Sequence, residues 1–197
     1  MKIFILPVAL AMFLIQSTSY AMHHGGDSSD VKRLYAGVDA GVGLIDGGSN
    51  PFVGKTYLGW NFDTTNIFSI ELGYFESAVS NASGSIGGIS ATGWAKIRGG
   101  DLVLLARPLA NHGLEHFFIR AGGHYSQVKG GATAFGWGGS VSATGTDDGV
   151  GWVAGAGFDI PITESISARA AYGFYGALSG VEGAEANVIT GGFQFKF

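Results

Sequence analysis

The chain has 197 residues, of which 46% are hydrophobic and 13% charged, with 35 Gly, no Cys and a net charge of −4. The length fits one domain, and the composition is too apolar and too weakly charged for a disordered chain. Mean hydropathy is positive at +0.27, but the sequence has one long apolar run, at its N-terminus, so a membrane protein built from helices is excluded. The 11 Lys and Arg residues are outnumbered by 15 Asp and Glu residues and do not cluster, so nucleic acid is not an expected partner.

The N-terminus has the pattern of a secretory signal peptide. Lys2 precedes an apolar run from Ile3 to Ile15 that is too short for an ordinary membrane-spanning helix. Ser19 and Ala21 place small residues where a signal peptidase reads them, so we predict that residues 1–21 are removed. An uncleaved anchor helix is the alternative. The absence of Cys is compatible with passage through an oxidising periplasm.

Residues 22–33 are polar and rich in Gly and Ser, which is typical of a flexible leader. After cleavage the mature chain would begin Met22-His23-His24. A free amine with His at the third position can wrap Cu(II) or Ni(II) in square-planar nitrogens. His23 and His24 are therefore a candidate metal site that depends on the cleavage point, and a solvated leader is the alternative. No other cofactor is expected.

From Leu34 to the C-terminus, apolar residues alternate with small or polar ones in segments of about ten residues, which is typical of transmembrane strands. We predict eight strands, in chain order Leu34–Ile45, Phe52–Phe62, Ile67–Ser77, Trp94–Pro108, His116–Gln127, Gly149–Ile160, Ser165–Gly176 and Asn187–Phe197. The predicted fold class is all-β, an eight-stranded antiparallel up-and-down barrel over residues 34–197. Gly on the polar face suits a crowded, narrow interior, and aromatic residues near strand ends suit interfacial girdles: Tyr35, Trp60, Trp94, Trp152 and Phe197.

The connections between the predicted strands alternate in length. Three are short: Asp63–Asn66, Leu109–Glu115 and Pro161–Glu164. Two are long and rich in Gly, Ser and Ala, namely Val79–Ala91 and Gly130–Asp148, the second of which holds Phe135 and Trp137. Short turns on one side and long loops on the other are typical of an outer-membrane barrel, with both termini on the periplasmic side. A soluble lipocalin-like barrel is the alternative, and the long loops are either adhesive surfaces or unstructured spacers.

The fourth predicted strand leaves one ambiguity. Its alternation places Lys96 and Arg98 on the apolar face. Either they lie above the hydrocarbon, where they could contact lipopolysaccharide phosphates, or Gly99-Gly100 forms a bulge that resets the alternation. A solvated strand end is the alternative to the lipopolysaccharide contact.

Several strand segments resemble a known family. They are SIELGYF (Ser69–Phe75), FIRAGGHY (Phe118–Tyr125), GAGFDIPIT (Gly155–Thr163) and SARAAYGF (Ser167–Phe174), and the chain ends in FQFKF. Their order and spacing over residues 34–197 are similar to those of the transmembrane domain of outer membrane protein A and its small opacity-type relatives. The resemblance implies an outer-membrane barrel of a Gram-negative bacterium, without the family's periplasmic peptidoglycan-binding domain. It also implies that the outer-membrane assembly machinery reads Phe193, Phe195 and Phe197 as a C-terminal signal.

Five charged side chains are predicted to point inward and to lie in the periplasmic or middle part of the barrel: Glu71, Arg107, Arg120, Asp159 and Arg169. Charges in so narrow an interior must pair or stay hydrated. In the family a similar network is proposed to gate a narrow ion path, and the resemblance implies that Glu71 and Asp159 accept from the three arginines. The alternative is that the network only satisfies a polar core and closes the barrel. Asp39, Lys55 and Lys196 also face inward, nearer the ends.

The string His124-Tyr125-Ser126 resembles part of the active site of outer-membrane lipid A deacylases. Strand alternation places His124 and Ser126 in the barrel interior, away from a lipid substrate, and Gln127 stands where those enzymes usually have Asn. We therefore expect no enzymatic activity and no catalytic residues.

The predicted function is that of a non-enzymatic outer-membrane protein, a surface antigen that contributes to envelope integrity and surface interaction. A porin-like ion channel gated by the inward charges is the alternative. Expected partners are outer-membrane lipid, lipopolysaccharide, the assembly machinery and a host or surface ligand bound by the loops.

Overall fold

The computed structural model describes residues 33–44, 49–62, 67–86, 88–110, 114–136 and 139–197. Most of these residues lie in nine β-strands. In chain order the strands are β1 (Leu34–Leu44), β2 (Phe52–Asn61), β3 (Phe68–Ser77), β4 (Ser80–Ile86), β5 (Ile89–Ala106), β6 (Phe117–Gly136), β7 (Gly139–Pro161), β8 (Ile166–Gly176) and β9 (Ala186–Lys196). A 3₁₀ turn at Leu178–Gly180 follows β8. No helix in the described part of the chain is long and apolar enough to cross a membrane.

The strands close into an antiparallel barrel. Hydrogen-bonded neighbours run β1-β2-β3-β5-β6-β7-β8-β9 and return to β1. β4 continues β3 beyond a break at Ala78 and Val79 and pairs with β5 alone, so β3 and β4 count as one interrupted strand of eight. Closure satisfies the backbone hydrogen bonds around the whole circumference and leaves no free edge in the barrel body. The predicted all-β, eight-stranded antiparallel barrel is confirmed.

Successive side chains point alternately into the barrel interior, here called the lumen, and away from it. On β1 the inward Tyr35 and Asp39 are buried, whereas the outward Val38 and Val42 are exposed. The same pattern holds on the other strands, because one face of each strand meets a narrow lumen and the other meets the surroundings. Exposed outward residues are mostly apolar and include Leu72, Leu104, Ile119, Phe158 and Ile189.

The three strands β5, β6 and β7 continue far beyond the others at one end of the barrel. β7 has 23 residues, whereas β1, β8 and β9 have 11 each. Residues 139–148 of β7 pair with β6 alone, so they rise past the barrel rim by roughly 30 Å of strand. We call the sheet made by β4 and residues 89–97, 128–136 and 139–148 the extension. The end of the barrel that carries it is the hairpin end, and the opposite end is the short-turn end.

The extension corrects the prediction of two long loops. Of the segments Val79–Ala91 and Gly130–Asp148, most described residues are paired strand rather than spacer. Beyond Ile97, which packs against the lumenal core, both faces of the extension are largely exposed, so nothing there requires apolar residues to alternate with polar ones. Gly, Ala, Ser and Thr therefore replace the period-two pattern by which the other strands were predicted. Trp137 lies outside the described residues.

The ambiguity in the fourth predicted strand is resolved by its register. β5 pairs residue for residue with β6 from Ser90 to Ala106, without a bulge at Gly99-Gly100. Lys96 and Arg98 therefore lie on the outward face, in phase with Leu102 and Leu104.

Candidate functional site

The lumen near the short-turn end is crossed by an ion-pair cluster centred on Arg169 of β8. Arg169 Nε donates to Asp159 Oδ1 at 2.7 Å, and Nη2 donates to Asp159 Oδ2 at 3.0 Å. Its Nη1 donates to Glu71 Oε1 at 2.6 Å. Glu71 Oε1 also accepts from the Tyr35 hydroxyl at 2.9 Å, and Arg169 Nη2 lies 3.3 Å from Gln194 Oε1. The side chains of Arg169 and Glu71 are fully buried, so these contacts replace part of the hydration that both charges lose, while Glu71 Oε2 has no hydrogen-bond partner.

Two aromatic rings flank the same guanidinium. Arg169 Cζ lies 4.6 Å from the centre of the Tyr57 ring and 4.8 Å from that of Phe118. The planar guanidinium stacks well on aromatic rings, so these cation–π contacts stabilise the cation in addition to its ion pairs. Together the rings and the charges fill the cross-section of the barrel at this level.

Arg107 extends this cluster towards the short-turn end, whereas Arg120 lies apart from it. Arg107 Nη2 donates to Asp159 Oδ2 at 2.8 Å. Arg120 is 5% exposed, yet its Nε has no hydrogen-bond partner and it makes no ion pair among the described residues. Its guanidinium lies instead over Gly155 and Gly173, where a Cβ would meet it. The structure therefore joins Glu71 and Asp159 to two of the three expected arginines.

A second ion pair lies higher in the lumen, between β2 and β5. Lys55 Nζ donates to Asp101 Oδ2 at 2.5 Å, and the Tyr175 hydroxyl donates to the same oxygen at 3.2 Å. Asp101 and Lys55 are buried. Sequence alternation placed Lys55 in the lumen, but it offered no signal that Asp101 would be its partner. Asp39 is also buried, and its Oδ1 has no hydrogen-bond partner.

The hairpin end of the lumen is apolar and is covered by the segment between β8 and β9. Leu178 is buried there, and the backbone N–H of Ser179 donates to Ser126 Oγ at 2.8 Å. Ala177 and Ser179 both have φ of 55°, a left-handed conformation that turns the segment inward. Beneath it lies a cavity of about 40 Å³. Its upper wall is formed by Val53, Phe75, Ile97, Leu178 and Val188, and Lys55, Arg120 and Thr190 line it below.

Two tyrosines in the lumen each cover a glycine on the neighbouring strand. Tyr35 is the register partner of Gly59, and Tyr57 is the register partner of Gly37. A Cβ at either glycine would overlap the opposing ring. The girdle prediction is thus wrong for Tyr35, which is 0% exposed, because its hydroxyl is needed inside the barrel by Glu71.

His124 and Ser126 bond to different partners in the lumen. Both are buried in the lumen, whereas Tyr125 between them faces outward. His124 Nε2 lies 3.0 Å from the carbonyl oxygen of Gly176, and Ser126 Oγ is occupied by Ser179. The two side chains thus hold the β8–β9 segment in the barrel mouth. No three His, Cys, Asp or Glu side chains of the described residues are grouped so that they could hold a metal ion.

The outer wall carries a polar cluster where the barrel body meets the extension. Lys96 Nζ contacts Glu76 Oε1, and Arg98 donates to Gln127 Oε1 through Nε at 2.9 Å and Nη2 at 2.6 Å. Glu76, Arg98 and Gln127 occupy one row of register partners. In the adjacent row Gly100 lies between Tyr74 and Tyr125, and its missing side chain leaves a notch in the wall beside Arg98.

The remaining predicted residues lie at the barrel's outer surface or outside the described part. Trp60, Trp94 and Trp152 are exposed and point outward. Phe193 and Phe195 also face outward on β9, and the backbone N–H of Phe197 donates to the Leu34 carbonyl at 2.9 Å. Lys196 pairs with Tyr35 in the register at the short-turn end. The predicted signal peptide (residues 1–21), most of the leader, and with it His23 and His24, lie outside the described residues.

No protein-family model matches the sequence, and no curated protein matches it. Solved structures are similar in fold. CarO2 of Acinetobacter baumannii has a TM-score of 0.53 at 16% identity, with 83% of this chain and 98% of that chain covered. CarO of Acinetobacter baumannii has a TM-score of 0.51 at 14% identity, covering 82% of this chain and 97% of that one. Ail, the attachment invasion locus protein of Yersinia pestis, has a TM-score of 0.46 at 15% identity over 84% of this chain and 97% of that chain. At these identities the similarity to CarO2 and CarO shows the fold alone, which is the closed eight-stranded antiparallel barrel described above.

Proposed function

We propose that the protein is an outer-membrane barrel of a Gram-negative bacterium whose extension contacts surface ligands. The observation that carries the proposal is the extension itself: a paired, four-stranded sheet that rises from one side of the barrel with both faces exposed. It buries almost nothing, so the fold of the barrel does not explain it. A long, ordered and solvent-exposed sheet is suited to binding, because it presents a preformed surface.

The barrel wall supports a membrane location. Its outward residues are mostly apolar and exposed, whereas most of its charges, apart from the cluster of Glu76, Lys96 and Arg98 near the extension, are buried in the lumen. A soluble barrel would have the reverse arrangement, with apolar side chains inside and polar ones outside. This arrangement, with the strand segments that resemble outer membrane protein A and opacity-type proteins, supports the outer membrane as the location. It also supports the assembly machinery as a partner that reads Phe193, Phe195 and Phe197.

The chemistry of the extension indicates how it would bind. Residues 79–95 and 130–146 contain no charged side chain. One face carries hydroxyl groups in register, including Thr92, Thr133 and Ser142, together with Trp94 and Phe135. Residues 139–148 of β7 also leave their outer backbone edge open, which an extended peptide can pair with. The expected ligand is therefore a polar surface molecule bound by hydrogen bonds and ring contacts, with little dependence on salt.

Shortening the extension tests the proposal. Gly131 and Thr144 are register partners, so residues 132–143 can be replaced by Asn-Gly, a two-residue turn that fits an antiparallel hairpin. Bacteria that display the shortened protein should adhere less to a layer of cultured host cells than bacteria that display the full chain. Glu182→Gln, an exposed change in the neighbouring β8–β9 segment, is the matched control. Equal adherence of all three, with each barrel shown to be folded by its heat-dependent migration in gels, would overturn the proposal.

A narrow ion channel is the second candidate function. The observation that favours it is that ion pairs, rather than packed aliphatic side chains, close the lumen near the short-turn end. Ion pairs can exchange partners without a large change in packing, so such a barrier could open. In this reading Glu71, Arg107, Asp159 and Arg169 act as the gate, and the test is a bilayer recording described below.

A further inference from the structure

We propose that the lumen binds a small monovalent anion of halide size beside Arg120, at the floor of the cavity beneath Leu178. The proposal joins two independent observations. One is a cavity of about 40 Å³ lined by Arg120 and Lys55. The other is a buried guanidinium without an ion-pair partner among the described residues.

Arg120 has no ion-pair partner because most lumenal carboxylates are paired with other cations. Glu71 and Asp159 are engaged by Arg169, and Asp159 also by Arg107. Asp101 accepts from Lys55 and Tyr175. Asp39 is the remaining lumenal carboxylate of the described residues, and no cationic nitrogen lies within 4.0 Å of it. A buried charge without a partner is costly, so Arg120 needs a counter-ion that the chain itself does not supply at contact distance.

The surroundings of Arg120 select for a small anion. The walls above it are apolar, and glycines at 155 and 173 leave room for the guanidinium without offering acceptors from side chains. Lys55 and Thr190 line the same space, so a second positive charge and a hydroxyl donor are available to an anion there. A water needs at least about 10–15 Å³ of such space, so a cavity of about 40 Å³ admits a halide ion with one or two waters. Larger organic anions do not fit.

The cavity that holds the site lies towards the hairpin end of the lumen. Gly43, Pro51 and Leu178 border the cavity there, above the Arg169 cluster. An anion would therefore enter from the hairpin end and stop above the ion pairs, without crossing them. This role is independent of the extension and of its proposed ligand.

Bromide is the probe, because its anomalous scattering locates it directly. Crystals of the refolded protein soaked in sodium bromide should show an anomalous peak next to the Arg120 guanidinium inside the barrel. In detergent, bromide added at constant ionic strength against sulfate should raise the unfolding temperature along a saturating curve. Absence of a lumenal peak in the wild-type protein would overturn the proposal.

Three variants make the test specific. Arg120→Met should lose both the peak and the saturating rise, whereas Arg98→Met, which removes an outward arginine on β5, should keep both. Asp39→Asn should bind bromide more tightly, because it removes the lumenal carboxylate that repels the anion. If Arg120→Met does not fold, Arg120→Lys serves in its place and should weaken binding without abolishing it. A saturating rise that persists in Arg120→Met would also overturn the proposal.

Discussion

Arg169 of β8 and Glu71 of β3 meet in the centre of the lumen, 98 residues apart in sequence and 2.6 Å apart between Nη1 and Oε1. Three strands lie between β3 and β8 in either direction around the barrel, so the contact joins opposite walls. Asp159, the register partner of Arg169, holds the guanidinium in place from the adjacent strand. The contact therefore links distant parts of the chain across the closed barrel.

Glu71→Gln should destabilise the barrel strongly. The substitution keeps the shape of the side chain but removes the charge that faces Arg169, and breaking a buried ion pair from one side costs about 3–5 kcal/mol. The measurement is the free energy of unfolding in guanidinium chloride, with the protein in detergent micelles. Glu182→Gln, on an exposed turn, is the control and should change stability by no more than about 0.5 kcal/mol. Equal stability of the two variants would show that the contact across the lumen contributes little.

Arg169→Ala should raise the conductance of the barrel in a planar bilayer. It removes the group that fills the space between Tyr57 and Phe118 and leaves Glu71 and Asp159 without their shared partner. Discrete channel openings whose conductance differs between this variant and the wild type would support the gated channel. Arg98→Ala, on the outer wall, should conduct like the wild type. A bilayer that stays silent with folded protein of all three kinds would assign the lumenal charges to closure of the barrel alone.

Gly59→Val should destabilise the barrel by displacing the ring of Tyr35 and, with it, the hydrogen bond to Glu71. We expect a loss of at least about 1–3 kcal/mol, the usual cost of overpacking. Gly145→Val is the matched control, since a Cβ at Gly145 meets nothing within 4 Å. The readout is the temperature at which each protein loses its compact, heat-sensitive form in gels. If both variants lose it at the same temperature, Tyr35 does not depend on the glycine beneath it.

Lys96 and Arg98 remain our predicted contacts for lipopolysaccharide phosphates. Both side chains face outward beside the notch at Gly100, and their present partners Glu76 and Gln127 leave Arg98 exposed. The wild-type protein should be more stable in lipopolysaccharide micelles than in zwitterionic detergent, and the double change Lys96→Ala and Arg98→Ala should reduce this difference in stability. Arg33→Ala, at the short-turn end, removes one exposed charge far from the notch and should leave that stabilisation intact. A double variant that lipopolysaccharide stabilises as well as the wild type would contradict the assignment.

The sequence predicts the barrel well because each membrane-length strand has one crowded face and one exposed apolar face. This contrast also places Glu71, Asp159 and Arg169 inside, from alternation alone. It cannot tell which inward charges meet, because pairing across the lumen depends on the stagger of the strands around the barrel. For that reason Lys55 and Asp101 appear in the sequence as unrelated residues, and Arg120 appears equivalent to Arg169.

The extension was missed for a related physical reason. In residues 128–136 and 139–148 both faces of the strands are largely exposed to solvent, so the strands are held mainly by backbone hydrogen bonds. Apolar and polar side chains therefore do not alternate there, and the sequence pattern does not indicate a strand. Tyr35 shows the converse error. Its position near a strand end suggests an interfacial aromatic, but its alternation places it inside, and the structure follows the alternation.

The extension also separates two sets of constraints on the chain. At Gly84 and Gly145 an added side chain would touch nothing, whereas at Gly37 or Gly73 it would collide with the filled lumen. Substitutions at open positions such as Gly84 and Gly145 should therefore leave the fold of the barrel unchanged, whereas those at Gly37 and Gly73 should not. Under the proposed function, the extension that contacts surface ligands can vary its sequence at such positions, while the crowded positions of the barrel body are constrained by the side chains that fill the lumen.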